Sequence, residues 1–279
     1  MNGKRGGLGA LCYLAVFAMA LLALPALLWF ARRDAGDEVT LPVVMYHDVC
    51  RSEEEADEYT VSAARLEEDL EALLAAGYQP VRLSEVLAYA RGGGALPRRP
   101  VLLVFDDGAA GLGHWGLPVL KKYGVPAVVS VIGDAAAGTQ GEAGEFLTWS
   151  QLAAMEQTGL VELQSHSASL HTYARPGVTR LAGESEADHA ALLAADAKRM
   201  EAMANEAGAA LLPAFAYPYG ALDSCAEKAL RAAGVQATMT SEEHLNRLTR
   251  SPECLFLLGR FERTGFMTTA QLLEKLEQK

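Results

Sequence analysis

Four residues separate His166 from His171 in the stretch LQSHSASLH (163–171). Along a strand, positions an odd number apart point to opposite faces. Along a helix, positions five apart do not share a face. Both imidazoles can therefore serve one site only if the chain turns between them. Other groups able to do chemistry follow apolar runs. Asp106, Asp107 and Gly108 follow VLLVF (101–105), His47 and Asp48 follow LPVVMY (41–46), and Pro218, Tyr219 and Gly220 follow PAFAY (213–217). Imidazoles and carboxylates together suit a divalent cation, and two imidazoles with one carboxylate leave coordination positions open for water and substrate. Neighbouring acids at a strand end diverge, so one can hold a metal while the other handles a proton. Singly, each feature has a plainer reading. DDG makes a turn in which glycine supplies positive φ, His47 can be a hydrogen-bonded structural histidine, and YPYG can be a turn with aromatic packing. Jointly they have the composition of a hydrolytic metal site.

The elements that must position these groups alternate along the chain. Apolar stretches at 41–46, 101–105, 126–132, 160–164, 213–217, 235–240 and 254–259 read as buried strands, with a weaker one at 78–83. Helices are predicted at about 62–76, 84–90, 116–123, 150–158, 186–207, 223–233 and 268–278, with Ser62, Ser84, Ser150 and Asp223 as capping residues. Apolar strands without polar alternation belong to parallel sheets, and strand–helix repeats build βαβ units. The pattern predicts an irregular (β/α)7-type barrel, with an open doubly wound sheet as the alternative. In such a barrel the active site forms at the C-terminal ends of the strands, where His47, the two acids, His166 and the YPYG turn all fall. The Gly- and Ala-rich insert at 132–146 reads as loop.

The 279 residues carry a formal net charge of −11 and 51% hydrophobic residues. A core is assured, and the charge argues against a nucleic-acid partner and against adsorption on anionic lipid. Leu8 to Phe30 carries no charge; Lys4 and Arg5 precede it and Arg32 and Arg33 follow. That length suits one N-terminal transmembrane helix. The expected organisation is a membrane anchor at 1–33, a linker at 34–40 and a catalytic domain at 41–279. The expected location is a single-pass attachment to the cell membrane with the domain extracytoplasmic. Cys12, Cys50, Cys225 and Cys254 show no zinc-type spacing, and one disulfide among the last three is left open.

Four segments in order resemble the polysaccharide deacetylases of carbohydrate esterase family 4, the NodB-homology domain. They are VMYHDV (44–49), FDDG (105–108), SHSASLH (165–171) and YPYG (217–220). The four-residue gap between the histidines resembles the poly-N-acetylglucosamine deacetylase branch. The resemblance implies that Asp107, His166 and His171 hold a divalent metal, Zn²⁺ foremost, with Co²⁺ or Ni²⁺ as alternatives. It implies Asp106 as general base, His47 as general acid, and an oxyanion and substrate contact at Tyr219, flanked by Pro218 and Gly220. The implied activity is removal of N-acetyl groups from an acetylated glycan of the cell envelope, releasing acetate. The chain departs from the family at Ala109, where tyrosine is usual, and at Ala216, where many relatives carry an arginine paired with the base; Arg260, in LGRFER (258–263), is the candidate replacement. Two other readings compete: a non-catalytic glycan-binding protein on a deacetylase-like barrel, and an O-acetyl esterase.

Overall fold

The computed structural model describes residues 38–175 and 177–277. Within them the strands are β1 (Glu38–Leu41), β2 (Val43–Tyr46), β3 (Asp48–Cys50), β4 (Thr60–Ser62), β5 (Gln79–Pro80), β6 (Pro100–Phe105), β7 (Ala127–Val131), β8 (Val161–Ser165), β9 (Leu211–Ala216), β10 (Ala237–Met239), β11 (Asn246–Thr249) and β12 (Phe261–Glu262). The main sheet has the order β10-β9-β8-β7-β6-β2-β12, with β5 pairing on β6. All its pairings are parallel. Met239 of β10 bridges Leu258, and three residues later Phe261 of β12 pairs with Val44 of β2. One segment therefore joins the two edges, and the sheet curls round on itself. Spatial order follows chain order from β6 to β10 without the reversal that defines a doubly wound sheet. The arrangement fits a (β/α) barrel. Its irregularity lies after β10, where no α-helix intervenes before β12 among the described residues.

Strand parity sorts the core into two layers. Val43, Leu102, Val104, Val128, Ala214, Ala216, Ala237, Met239 and Leu258 pack in one cluster inside the ring. Val44, Leu103, Phe105, Val129, Leu163 and Phe261 belong to another, against the helices. Alternate residues face opposite ways, so the next inward position beyond each strand is fixed. These positions are His47 after β2, Asp106 after β6, His166 after β8 and Arg260 after Leu258. The outer layer is locked by a buried ion pair. Asp69, on the Leu66/Leu70/Leu73 face of helix Ala63–Ala75, accepts from Arg263 Nε at 2.7 Å, Thr269 Oγ1 at 2.6 Å and Tyr46 Oη at 3.2 Å. This network fixes β12, and with it Arg260, against β2.

Several expectations need correction. The stretch 41–46 is interrupted at Pro42, which has no N–H to give a ladder; its carbonyl instead accepts from Leu102 N–H at 3.1 Å. Only a 3-10 turn (Pro252–Leu255) and a single bridge occupy 254–259, because Leu257 adopts φ 59° and breaks the extended run. The insert at 132–146 contains a short helix, Gly133–Ala136. Ser62 and Asp223 cap their helices, but Ser84 and Ser150 do not. Thr148 forms the cap by a reciprocal box with Gln151, and the helix Leu83–Ala90 starts after Arg82. Residues 38–40 of the expected linker form β1, paired antiparallel with β11. Val39, Leu41 and Leu248 of this pair join the inner cluster with Leu83, Val86 and Leu96, plugging the ring. Cys50, Cys225 and Cys254 are free thiols. Among the described residues no helix is long and apolar enough to cross a membrane. The expected anchor at 1–33, Cys12 and residues 34–37 lie outside the described residues.

Candidate active site

Asp106 is the first inward residue beyond β6 and is 2% exposed. Its two oxygens accept from Arg260 Nη1 at 2.8 and 2.7 Å, and Arg260 Nε donates to the Thr240 carbonyl at 2.8 Å. The arginine beside Asp106 thus comes from the position just before β12, residue 216 being alanine. Burial alone would raise the Asp106 pKa. Arg260 foremost, then His166, His47 and a hydrogen bond from Ser130, outweigh it and hold Asp106 well below the usual carboxylate range. His47 lies one step beyond the Tyr46–Phe105 pairing, beside Asp106, whose N–H donates to the Tyr46 carbonyl at 2.9 Å. The His47 ring meets Tyr59 edge-on at 5.2 Å.

Asp107 has the outward parity, and only its backbone brings it to the site. Its φ is 68°, a left-handed conformation that is costly for a residue with a Cβ. Gly108 continues the turn at φ 79°. Asp107 Oδ1 then lies 3.5 Å from His166 Nε2 and 3.5 Å from His171 Nε2. One ligand atom from each of the three residues falls within 4.8 Å of the others. Burial, and then the Asp106 charge, push the Asp107 pKa up to about 6, against the opposing pull of His47 and Arg260.

Both histidines are kept neutral. Burial above all pulls His166 down to about 4, and burial lowers His171 as well. His166 Nδ1 lies 2.8 Å from the Ala216 carbonyl, which can only accept, so the ring proton is on Nδ1 and the Nε2 lone pair faces Asp107. His171 Nδ1 lies 3.1 Å from the Tyr219 hydroxyl. The outer partners of both rings therefore come from one stretch, Ala216–Tyr217–Pro218–Tyr219. Tyr219 needs φ 57° to reach this place. Gly220 is confined by contact: a Cβ there would sit 1.8 Å from Ser241 Oγ. Pro218 is buried beneath the turn.

This donor set fits a divalent cation. Asp107 Oδ1 is buried with no hydrogen-bond partner. It faces the His166 lone pair with no proton to share between them, an arrangement that is repulsive until a cation enters. Two neutral imidazoles can bind a metal near neutral pH without first losing a proton, whereas the raised pKa of Asp107 sets protons against the metal as pH falls toward about 6. A cleft of about 530 Å³ adjoins His171, lined by Glu145, Phe146, Ser169, Tyr173 and Tyr219 among others. Tyr173 is 91% exposed and stacks on Tyr219 at 5.1 Å.

The structure brings together His47, Asp106, Asp107, His166, His171, Tyr219 and Arg260. Two contributors were missed in the sequence. Ser130 is the one polar residue at inward parity in AVVSV; Gln164 Nε2 donates to its hydroxyl at 2.8 Å, and the hydroxyl helps to hold the Asp106 pKa down. Asp196 lies on the buried stripe His189/Leu193/Asp196/Met200/Ala204 of helix Glu186–Glu206. In both cases the available signal was a polar residue at an apolar position.

Comparison with known proteins places the chain in a family. The poly-beta-1,6-N-acetyl-D-glucosamine N-deacetylase of Escherichia coli (strain K12) is 33% identical over 140 residues, covering 46% of this chain and 20% of that protein. The protein of the same name from Staphylococcus epidermidis is 28% identical over 189 residues, covering 68% of this chain and 64% of that one. The chain thus spans a fifth of the first relative and just under two thirds of the second. Among solved structures, IcaB from Ammonifex degensii superposes with a TM-score of 0.71 at 28% identity, over 86% of this chain and 98% of that one. The Streptococcus pyogenes deacetylase PplD, solved with acetate, shares the fold at a TM-score of 0.68 and 23% identity, over 86% and 99% of the two chains. The polysaccharide deacetylase profile matches residues 93–238, more than half of the 279. The chain belongs to the polysaccharide deacetylase family of hydrolytic enzymes.

Proposed function

We propose that the protein removes N-acetyl groups from a poly-N-acetylglucosamine polymer by metal-assisted hydrolysis, releasing acetate. The observation that carries this reading is the juxtaposition of two differently tuned acids. Asp107 joins two neutral imidazoles in a ligand set, while Asp106, ionised by Arg260, stands beside it free of that set. A binding protein has no use for the second carboxylate. The names of the Escherichia coli and Staphylococcus epidermidis relatives support the choice of polymer.

Asp107, His166 and His171 would hold the ion, with Zn²⁺ favoured by two imidazoles and one carboxylate. When bound, such a cation polarises the acetamide carbonyl and acidifies water. Asp106 takes the proton of the attacking water, and its grip by Arg260 keeps it available as a base. The Tyr219 N–H would donate to the oxyanion. His47 gives a proton to the departing amine. Amide cleavage depends on that proton far more than ester cleavage does. His47→Ala is therefore expected to lower the rate on an acetamide by about 10²-fold or more, and on a matched O-acetyl ester by much less. Equal losses on both would remove His47 from the role of general acid.

The test of the whole reading is acetate release by the full chain, purified in detergent and supplied with Zn²⁺, Co²⁺ or Ni²⁺, from N-acetylglucosamine oligomers. Release of acetate with a free amino sugar is expected. Glycan binding without release favours the binding protein, and release from O-acetyl sugars alone favours the esterase. We further assign Leu8–Phe30 as a membrane anchor with the domain outside the cytoplasm, on the strength of its uncharged length. Extraction of the protein from membranes by alkaline carbonate would overturn that assignment.

A further inference from the structure

The five-residue step from His166 to His171 leaves a loop that must hold one shape for both rings to meet one ion. Its turn starts at Ser167, whose φ is 75°. Asp196, ten residues into helix Glu186–Glu206, reaches this loop from behind and is 6% exposed. Its Oδ2 accepts from Ala168 N–H at 2.8 Å, and its Oδ1 accepts from Ser169 N–H at 2.9 Å and Ser169 Oγ at 3.2 Å. The other face of the loop is tied to the start of helix Gly133–Ala136. There the Ser167 and Ala168 carbonyls accept from Gly133 and Asp134 N–H at 3.0 and 2.8 Å. Asp196 is not one of the three ligand residues and does not itself line the cleft.

We propose that Asp196 is a positioning residue for the metal site: its carboxylate clasps the loop between the two histidines and sets the affinity of the Asp107–His166–His171 cluster for a divalent cation. A carboxylate is suited to this task because both of its oxygens only accept, and the loop presents two consecutive N–H groups. An asparagine can satisfy one of them but turns its own NH₂ against the other. The inference rests on the metal-binding reading of the site, and its test separates the two.

The experiment is competition between the full-length protein and a chromophoric chelator for Zn²⁺, run on the wild type and on Asp196→Asn. The wild type is expected to bind one Zn²⁺. Asp196→Asn is expected to bind it about 10- to 100-fold more weakly, the range typical for loss of an outer partner of a metal ligand. Its kcat should return toward the wild-type value when Zn²⁺ is raised to saturation, because no reacting group has changed. Wild-type affinity in Asp196→Asn would overturn the clasp and leave the metal site standing. No Zn²⁺ binding by the wild type would overturn the metal site itself. Should Asp196→Asn fail to fold, Ser169→Ala removes only the hydroxyl contact and leaves the helix intact. It must then weaken Zn²⁺ binding by about 3-fold, a typical single hydrogen-bond effect, and an unchanged affinity overturns the proposal.

Discussion

Asparagine at position 106 is expected to cut kcat for acetate release by about 10²- to 10⁴-fold, the usual contribution of a positioned acid–base group. The substitution keeps the size of the side chain and one acceptor for Arg260, but an amide cannot take a proton from water near neutral pH. Asp106 is outside the proposed ligand set, so Zn²⁺ stoichiometry should be unchanged in the variant. This combination distinguishes a base from a ligand. A ligand variant such as His166→Ala loses the ion and the activity together. Rate assays paired with metal analysis on the same preparations check the prediction. Retention of more than about a tenth of wild-type kcat would take the role of base away from Asp106.

Arg260→Met should have the largest effect on stability. Arg260 and Asp106 are 1% and 2% exposed and bonded at 2.7–2.8 Å. Removing one partner of a buried pair leaves the other charge uncompensated, which costs about 3–5 kcal/mol. The direction with pH follows from the lowered pKa of Asp106. Ionised Asp106 stabilises the wild type at pH values above the ordinary carboxylate value of about 4, and this contribution fades as pH falls through the lower value of the folded protein. In Arg260→Met the contribution is lost, so the deficit is greatest near neutral pH and narrows in acid, where Asp106 protonates. The acid limb of the activity profile should move to higher pH, because burial is no longer opposed by the guanidinium. Denaturant titrations at neutral and acid pH, with a pH–rate profile, measure both effects. An unchanged acid limb would show that Arg260 does not tune the base.

Much of this site was legible in the sequence through strand parity. Once VLLVF and LPVVMY are read as strands buried on both faces, Asp106 and His47 fall at the next inward step, and His166 does so after β8. The return of Arg260 from LGRFER was suggested by the gap at Ala216, and the structure pairs it with Asp106. Parity failed where the backbone departs from the strand. Asp107 has outward parity and enters the site only through φ 68°. A two-residue pattern cannot announce such a turn, although the following glycine is consistent with it. The stretch 254–259 reads as an uninterrupted apolar strand, and nothing in its composition signals the left-handed Leu257. The pairing of β1 with β11 was missed because short antiparallel partners about two hundred residues apart leave no local periodicity. Asp196 was missed for a different reason. An acid in a helix is taken for a solvated residue until its place on the buried stripe is counted.

Asp107, His166 and His171 are proposed to grip one divalent ion at the mouth of the ring. The most direct measurement is anomalous diffraction from crystals of the protein grown with Zn²⁺, together with elemental analysis of the same sample. One ion per chain is predicted, about 2.0–2.2 Å from Asp107 Oδ1 and from Nε2 of both histidines. A chain without stoichiometric metal, or an ion bound away from these three residues, would contradict the account.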